Sequence, residues 1–226
     1  MLDLGTSALL LAIAVGAVDI VLLAAALGGF RALIAHPPAL SLLAIWAAAG
    51  IYGAIALPRE APKPVRRASE PAVVVLALAL LPFVTLFASA WSQRRNLAPL
   101  AGDGPLAWAG VALVATGTLL RAAAVTHLGH AFTPSILVQE DQTLRETGPY
   151  AHMRHPGYAG ALINGLGTAL AFQSGLGLLL ALAMLIPMRV RIRTEERLMA
   201  EHFGPAYESY RRRTGGLWPI PWRRRA

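Results

Sequence analysis

The chain has 226 residues, of which 56% are hydrophobic and 14% charged, with a mean hydropathy of +0.54. A soluble domain of this size carries roughly a quarter charged residues, so composition alone excludes an ordinary cytosolic globule and makes lipid the solvent. There is no Cys, and the six His are not grouped by an HExxH or a close His/carboxylate spacing, which excludes a disulfide framework and a thiolate metal site and leaves no metal centre to assign.

In chain order the apolar residues fall into six blocks and not into amphipathic stripes. The first runs near 6–30 and carries one intramembrane acid, Asp19. It follows Met1-Leu-Asp-Leu4, which has neither a basic n-region nor a small-residue cleavage site, so it reads as a retained helix. The second, 39–57, opens after His36-Pro-Pro38, and the third, 71–91, contains Pro82 as an expected kink. The fourth covers 105–125. Each is close to the ~20 residues needed to cross ~30 Å of hydrocarbon. The last two, 157–172 and 176–190, are shorter and separated only by Gln173-Ser-Gly175. They predict a tight helical hairpin that barely crosses, or dips in and returns, with both open ends on one side. The expected fold is therefore all-α: a polytopic membrane helical bundle of about six transmembrane segments, ending in a hairpin and a cytoplasmic helix extension. It is one membrane domain, with 1–125 as a four-helix region and 126–226 as a region of polar clusters, hairpin and tail.

The positive charge of +8 lies mostly in the loops flanking these blocks, as the positive-inside rule requires, and reads as orientation rather than as a nucleic-acid footprint. With both termini cytoplasmic, the inside holds Arg59, Lys63, Arg66, Arg67, Arg145, Arg154 and the arginine-rich tail after Met188, while the outside holds Arg31, Arg94 and Arg95. In a bacterium this would be the cell inner membrane. The 58–70 stretch is a polar, Pro-rich connector, and Arg223–Arg225 completes the inside charge and could bind anionic lipid.

Two polar clusters fall on the cytoplasmic side. The 126–156 segment has turn signals and little helical period, and extended backbone of this kind offers N–H and C=O groups to a ligand. It ends in Gly148-Pro-Tyr-Ala-His-Met-Arg-His-Pro-Gly-Tyr158. Pro156 suits the first turn of a helix, whose N-terminus presents free N–H groups and a positive dipole end to a carboxylate. Tyr150 and Tyr158 offer aromatic faces to a sulfonium or a base. The second cluster is Arg191-Ile-Arg-Thr-Glu-Glu196. Arg191 and Glu195 share a helix face, and Glu196 lies about 100° around. By itself this stretch reads as a solvated, salt-bridged extension. The short hairpin, however, returns it to the same membrane edge as His155 and Tyr158, so the two clusters can wall one pocket. Asn164 is the polar hairpin residue that could face it. Gly165, Gly167, Gly175 and Gly177 are expected to be helix-packing contacts, since no strand precedes them as in a dinucleotide loop.

Four ordered pieces, Leu144-Arg-Glu-Thr-Gly-Pro-Tyr150, Arg154-His-Pro-Gly-Tyr-Ala-Gly160, Arg191-Ile-Arg-Thr-Glu-Glu196 and Phe203-Gly-Pro-Ala-Tyr-Glu-Ser-Tyr210, followed by Gly216-Leu-Trp-Pro-Ile-Pro221, resemble the isoprenylcysteine carboxyl methyltransferase family, within the integral-membrane phospholipid and protein methyltransferases. The resemblance covers roughly 132–221. It implies S-adenosyl-L-methionine as cofactor, held by Gln139, Gln142, Thr143, Leu144, Arg145, Tyr150, His155, Pro156, Gly157, Tyr158 and Glu195, with Glu195 on the cofactor's amino group. It implies Arg191 at the acceptor carboxylate, and an acceptor site formed by the first four helices, which carry no motif of the family.

The expected function is a membrane methyltransferase of this type acting on a lipophilic or lipidated acceptor at the cytoplasmic face. A carboxylate is already anionic at neutral pH and needs no base. An amine acceptor such as phosphatidylethanolamine must lose a proton and would draw on His155, His152 or Glu196, and a small thiol would need only an apolar slot. A sterol-reductase-like enzyme using NADPH and a non-catalytic lipid-binding protein are the rivals from other classes. The pair Glu195–Glu196 opposes the first, because a phosphorylated adenosine asks for added basic groups.

Overall fold

The computed structural model describes residues 4–56, 64–102, 104–133, 135–139 and 142–219. The connector's Arg59 and Lys63 and the terminal Ile220, Pro221 and Arg223–Arg225 lie outside these. The first apolar block forms α1 (Leu4–Leu27) and ends where Gly28 and Gly29 take φ of 100° and 127°, a turn open to residues without a Cβ. A short α2 (Phe30–Ile34) follows. α3 (Pro37–Ala56) starts at the first of its two prolines, and the His36 Nδ1 accepts the Ala39 backbone N–H at 3.2 Å, which caps the helix. α4 (Ala72–Arg95) runs unbroken through Pro82, and α5 (Gly104–Leu128) extends the fourth block by a turn at its far end.

The hairpin forms as expected, with one refinement. α6 (Pro156–Ala171) has 16 residues. The return is made of α7 (Gly175–Ala183) and α8 (Leu185–Phe203), which are broken only at Met184. Among the described residues five segments are long and apolar enough to cross a bilayer: Leu9–Leu27, Pro37–Ala56, Ala72–Arg95, Gly104–Ala131 and Gly175–Phe203. α6 falls short of that length. Large apolar side chains such as Leu11, Ile55, Val73 and Leu119 cover the outer faces of these helices, which a protein can afford only in lipid. The chain is an integral membrane protein.

α5 and α6 carry the tightest contact in the bundle. A Cβ added at Gly110 would strike the Ala171 backbone N, and one at Gly117 would meet the Gly160 carbonyl at 2.6 Å. From the other side, Gly160 meets the Gly117 carbonyl at 2.6 Å and Gly167 the Gly110 carbonyl and Val114 N at 2.8 Å. Two glycines seven apart on each helix thus let backbone lie on backbone. Gly165, Gly175 and Gly177 are packing contacts as well, against Met184 and Ala181, the Ala98 carbonyl, and Ser89 respectively.

The two ends of the bundle differ. At one, the hairpin turn is pinned to the α4–α5 loop: Leu100 N–H donates to Gln173 O at 2.8 Å, Gly175 N–H to Ala98 O at 2.8 Å, and Ser92 and Ser174 hydroxyls meet at 2.5 Å. The Ser174 hydroxyl also caps α7 through Gly177 N–H. At the other end the long segments gather. Here the structure departs from the expected all-helical layout with unpaired loop backbone. β1 (Pro64–Arg67) in the connector and β2 (Leu137–Gln139) form an antiparallel pair with Arg67 opposite Leu137 and Arg66 opposite Val138. Ile136 and Val138 bury their side chains against Leu198 of α8, which explains why two short polar-flanked strands hold at all. A final helix, α9 (Pro205–Arg213), turns back through Gly204 (φ 56°) and lays residues 214–216 beside the start of α6. Arg154 N–H donates to Gly215 O at 2.8 Å, and His155 N–H to Gly216 O at 3.2 Å.

Candidate functional site

Pro156 stands at the first position of α6, where its missing N–H costs nothing. His155 precedes it in a non-helical conformation, 5% exposed. This brings Tyr158 and His155 to the inner face of the bundle, opposite α8. The Tyr158 hydroxyl donates to Glu195 Oε2 at 2.8 Å and accepts from Arg191 Nε at 2.8 Å. Arg191 continues the chain to Glu70, just before α4, with Nη1 3.0 Å from Glu70 Oε2. The other Glu70 oxygen, Oε1, is buried without a hydrogen-bond partner among the described residues. Glu195, Tyr158, Arg191 and Glu70 thus form one line of alternating acceptors and donors from the hairpin to the connector.

A second line runs beside it. Glu196 Oε1 accepts from Arg154 Nε at 2.7 Å and lies 3.1 Å from His155 Nε2. Arg154 Nη1 donates to the Arg211 and Thr214 carbonyls, so one guanidinium ties α6, α8 and the end of α9 together, as a cation at a helix C-terminus does. The Tyr210 hydroxyl donates to the Tyr150 carbonyl at 2.8 Å and holds the turn that carries Tyr150. Burial pushes the Tyr150 and Tyr207 phenols well above their ordinary range, and pushes Tyr210 up to about 12. All three are neutral donors at working pH.

Of these side chains, Tyr158, Glu195, Arg191, Arg154, His155 and the three phenols line one cavity of about 910 Å³. Its polar end is walled by Gln142–Arg145, Tyr150, Gly157, Tyr158, Arg191, Glu195 and Tyr207, and its depth by apolar side chains of α3, α4, α5, α6 and α8. Of the expected cofactor-side residues, Gln142, Thr143, Leu144, Arg145, Tyr150, His155, Gly157, Tyr158 and Glu195 line this cavity, and so does Arg191. Three do not. Gln139 turns its amide to the His130 carbonyl and its backbone N–H to Gln142. Pro156 is buried in the first turn of α6. Glu196, read from the sequence as a reacting group, instead faces a small outer cleft with Arg211 and Thr214–Pro219, because it lies a step around the helix from Glu195. The structure also brings in residues the sequence did not mark for the site. Glu70 was read as part of a plain connector; only the fold of β1 onto β2 carries it to Arg191. Arg121, at the inner end of α5, donates to the Gly157 carbonyl at 3.3 Å, and Tyr207 and Tyr210 line the walls, as does Asn164, which the sequence had offered for the pocket. The signals available beforehand were the polarity of Arg121 on an otherwise apolar helix and the place of Tyr207 and Tyr210 in the Phe203–Tyr210 piece of the resemblance. Among the described residues no group of His, Asp and Glu could hold a metal ion.

Comparison with known proteins places this geometry. Residues 106–206 match the phospholipid methyltransferase family. Curated relatives are the protein-S-isoprenylcysteine O-methyltransferases of Schizosaccharomyces pombe, 33% identical over 107 residues (46% of this chain, 45% of that protein), and Saccharomyces cerevisiae, 32% identical over 109 residues (47% and 46%). A probable enzyme of the same name from Oryza sativa subsp. indica is 35% identical over 108 residues (46% and 56%). The matched stretch is about half the length of these curated relatives. A solved structure of a eukaryotic intramembrane Ras methyltransferase, isoprenylcysteine carboxyl methyltransferase, aligns over 80% of this chain and 68% of its own with a TM-score of 0.56 and 22% identity, a likeness of fold. The family-model match spans somewhat under half of the chain, and the curated relatives it resembles are protein-S-isoprenylcysteine O-methyltransferases. The family-model match, 106–206, contains the hairpin together with Arg154, His155, Tyr158, Arg191, Glu195 and Glu196.

Proposed function

We propose that the protein is an S-adenosyl-L-methionine-dependent membrane methyltransferase of the isoprenylcysteine carboxyl type, acting on a lipophilic acceptor at the cytoplasmic edge of the bilayer. One observation carries the reading: Glu195, Tyr158 and Arg191 are hydrogen-bonded in a row across a cavity with a polar mouth and an apolar depth. The residues fit the cofactor on chemical grounds. Glu195 is a carboxylate for an amino group, the α6 N-terminus beside Gly157 is a place for a carboxylate, and the buried neutral phenols supply aromatic faces without a competing charge.

When bound, the cofactor supplies an activated methyl group whose sulfur loses its positive charge on transfer. The chain's part is to position and to exclude water. Tyr158 fixes Glu195 and Arg191 relative to each other, so that the donor and acceptor sides of the site share one hinge-free link. Arg191, on the apolar side of that link, orients an acceptor carboxylate by a charge-assisted bond. Gln142–Arg145 close the polar side, and β1–β2 brace that strip against α8. α1, α3 and α4 wall the acceptor side, and the region after residue 125 holds the cofactor. Both termini on the cytoplasmic side would place every one of these groups where a soluble nucleotide-like cofactor is available.

A second reading has one observation in its favour. Glu70 already offsets the charge of Arg191 and keeps an unpartnered oxygen, which suits an amine acceptor of the phospholipid kind better than a second carboxylate. One experiment separates the readings: incubate purified protein with a total membrane extract and methyl-labelled cofactor, then treat the product with alkali. Label released as methanol marks a carboxyl ester, and label retained marks an N- or S-methyl group. Calorimetric titration with S-adenosylmethionine, S-adenosylhomocysteine and NADPH tests the enzyme class. Heat with NADPH alone would turn the assignment to a reductase, and silence with all three to a lipid-binding protein.

A further inference from the structure

The cavity does not become uniformly apolar with depth. Halfway along the bundle it meets a polar layer that methyl transfer does not use. Asp19 of α1 is 8% exposed and lines the cavity, and among the described residues no hydrogen bond or ion pair reaches its carboxyl group. Thr85 of α4 is 1% exposed and also lines it, with a hydroxyl buried without a partner. The two lie at one depth. α1 and α4 both run toward the end where Gly28 abuts the Arg94 guanidinium, and each residue stands nine positions, about 13 Å, before that contact. Pro82, on the same wall, has no N–H to return to the Leu78 carbonyl. Across the cavity, Asn164 is already engaged: its Oδ1 accepts from Trp46 Nε1 at 3.4 Å and from Thr118 Oγ1 at 3.2 Å.

A carboxyl and a buried hydroxyl without partners are costly in a lipid-embedded bundle. A plain hydrocarbon tail threading past them would leave that cost in place. We propose that this layer is a subsite for a hydrogen-bond-donating group, a hydroxyl or an amine, on the buried portion of the lipophilic acceptor. That group would lie about 9 Å beyond the methylated end, the rise of α6 from Tyr158 to Asn164. Asp19 and Thr85 receive it, and the Trp46–Asn164–Thr118 set closes the opposite wall. The inference rests on the acceptor occupying the cavity as proposed above, and adds that the acceptor is an amphiphile with polar groups at two depths.

The test uses the full chain in detergent with two probes: N-acetyl-S-decylcysteine, and the same compound with a hydroxyl on the alkyl chain about 9 Å from the carboxyl carbon. Affinity is read by thermal shift, and methylation with labelled cofactor is read separately. The wild type should bind the hydroxylated probe about 10-fold more tightly, as one hydrogen bond to a buried charged or polar group implies. Asp19→Leu should bring the ratio to near unity, and Thr85→Val, which keeps the shape, should lower it in part. Equal affinities in the wild type, or an unchanged ratio in both variants, would overturn the subsite. Should Asp19→Leu fail to fold, Asp19→Asn and Thr85→Val carry the same comparison. Absence of methylation with both probes would count against the proposed enzyme class while the affinity ratio still decides the subsite.

Discussion

Tyr158 lies between Arg191 and Glu195 with hydrogen bonds of 2.8 Å on either side, and that position makes the three residues separable by experiment. Glu195→Ala removes the carboxylate on the cofactor side and should reduce S-adenosylmethionine affinity by about 100-fold or more, as loss of a charged hydrogen-bonding partner implies, read by calorimetry. Arg191→Ala should leave cofactor affinity within a few-fold and lower turnover. Unchanged turnover would remove Arg191 from the acceptor side. Glu70→Ala frees Arg191 from its ion pair. If the acceptor is a carboxylate, this variant should bind it more tightly and turn over no faster; if the acceptor is an amine, turnover should fall. The sequence marked Arg191, Glu195 and Tyr158, because tyrosine, arginine and acid at the ends of apolar helices are legible as types. It did not mark Glu70, since an acid in a Pro-rich connector has no pattern that tells where the connector folds. It put Glu195 on the cofactor only through the resemblance, and kept Glu196 in the site as a base. A turn of about 100° points the first into the cavity and the second into the Arg154–His155 pair, and which is which depends on how α8 is rotated against α6.

At the scale of elements, the α5–α6 contact and the C-terminal strap do different work. The glycines of α5 and α6 let two backbones touch, so Gly117→Leu should force the helices apart. The cost should exceed the ~1–3 kcal/mol usual for overpacking, because the struck atom is the Gly160 backbone carbonyl at 2.6 Å. The measurable result is a Tm lowered by several degrees together with lost cofactor binding, since Tyr158 rides on α6. The strap is held by Arg154, which joins Glu196 to the Arg211 and Thr214 carbonyls. Glu196→Gln keeps the shape and removes the charge. It should cost about 2 kcal/mol and speed limited proteolysis of the 204–219 segment, while cofactor affinity falls less than in Glu195→Ala. Equal losses in the two variants would place Glu196 inside the site. The hairpin was legible as two short apolar runs with a three-residue turn. The β1–β2 pair was not, because strands of four and three residues are too short to show a period and exist only through the Ile136–Val138–Leu198 cluster.

For the whole molecule the distribution of arginine fixes an expected orientation, and the absence of Cys makes it simple to test. Single cysteines placed at Arg145 and at Arg94, at opposite ends of the bundle, should react with a membrane-impermeant maleimide in inside-out and right-side-out vesicles respectively. The reverse pattern would put the polar mouth of the cavity on the side opposite to the one the proposed function requires. The sequence by itself determined the solvent, the helical class, the approximate spans, the side on which charge gathers and the residue types of the two polar clusters, all of which follow from local composition and period. The tertiary structure alone decided that Glu196 faces away from the cavity, that Glu70 reaches Arg191 and that Asp19 and Thr85 line one cavity. Each of these depends on helix rotation and register between segments far apart in the chain. Lipid, being as apolar as the side chains themselves, leaves those choices to backbone contact and hydrogen bonding rather than to a hydrophobic pattern that could be read in advance.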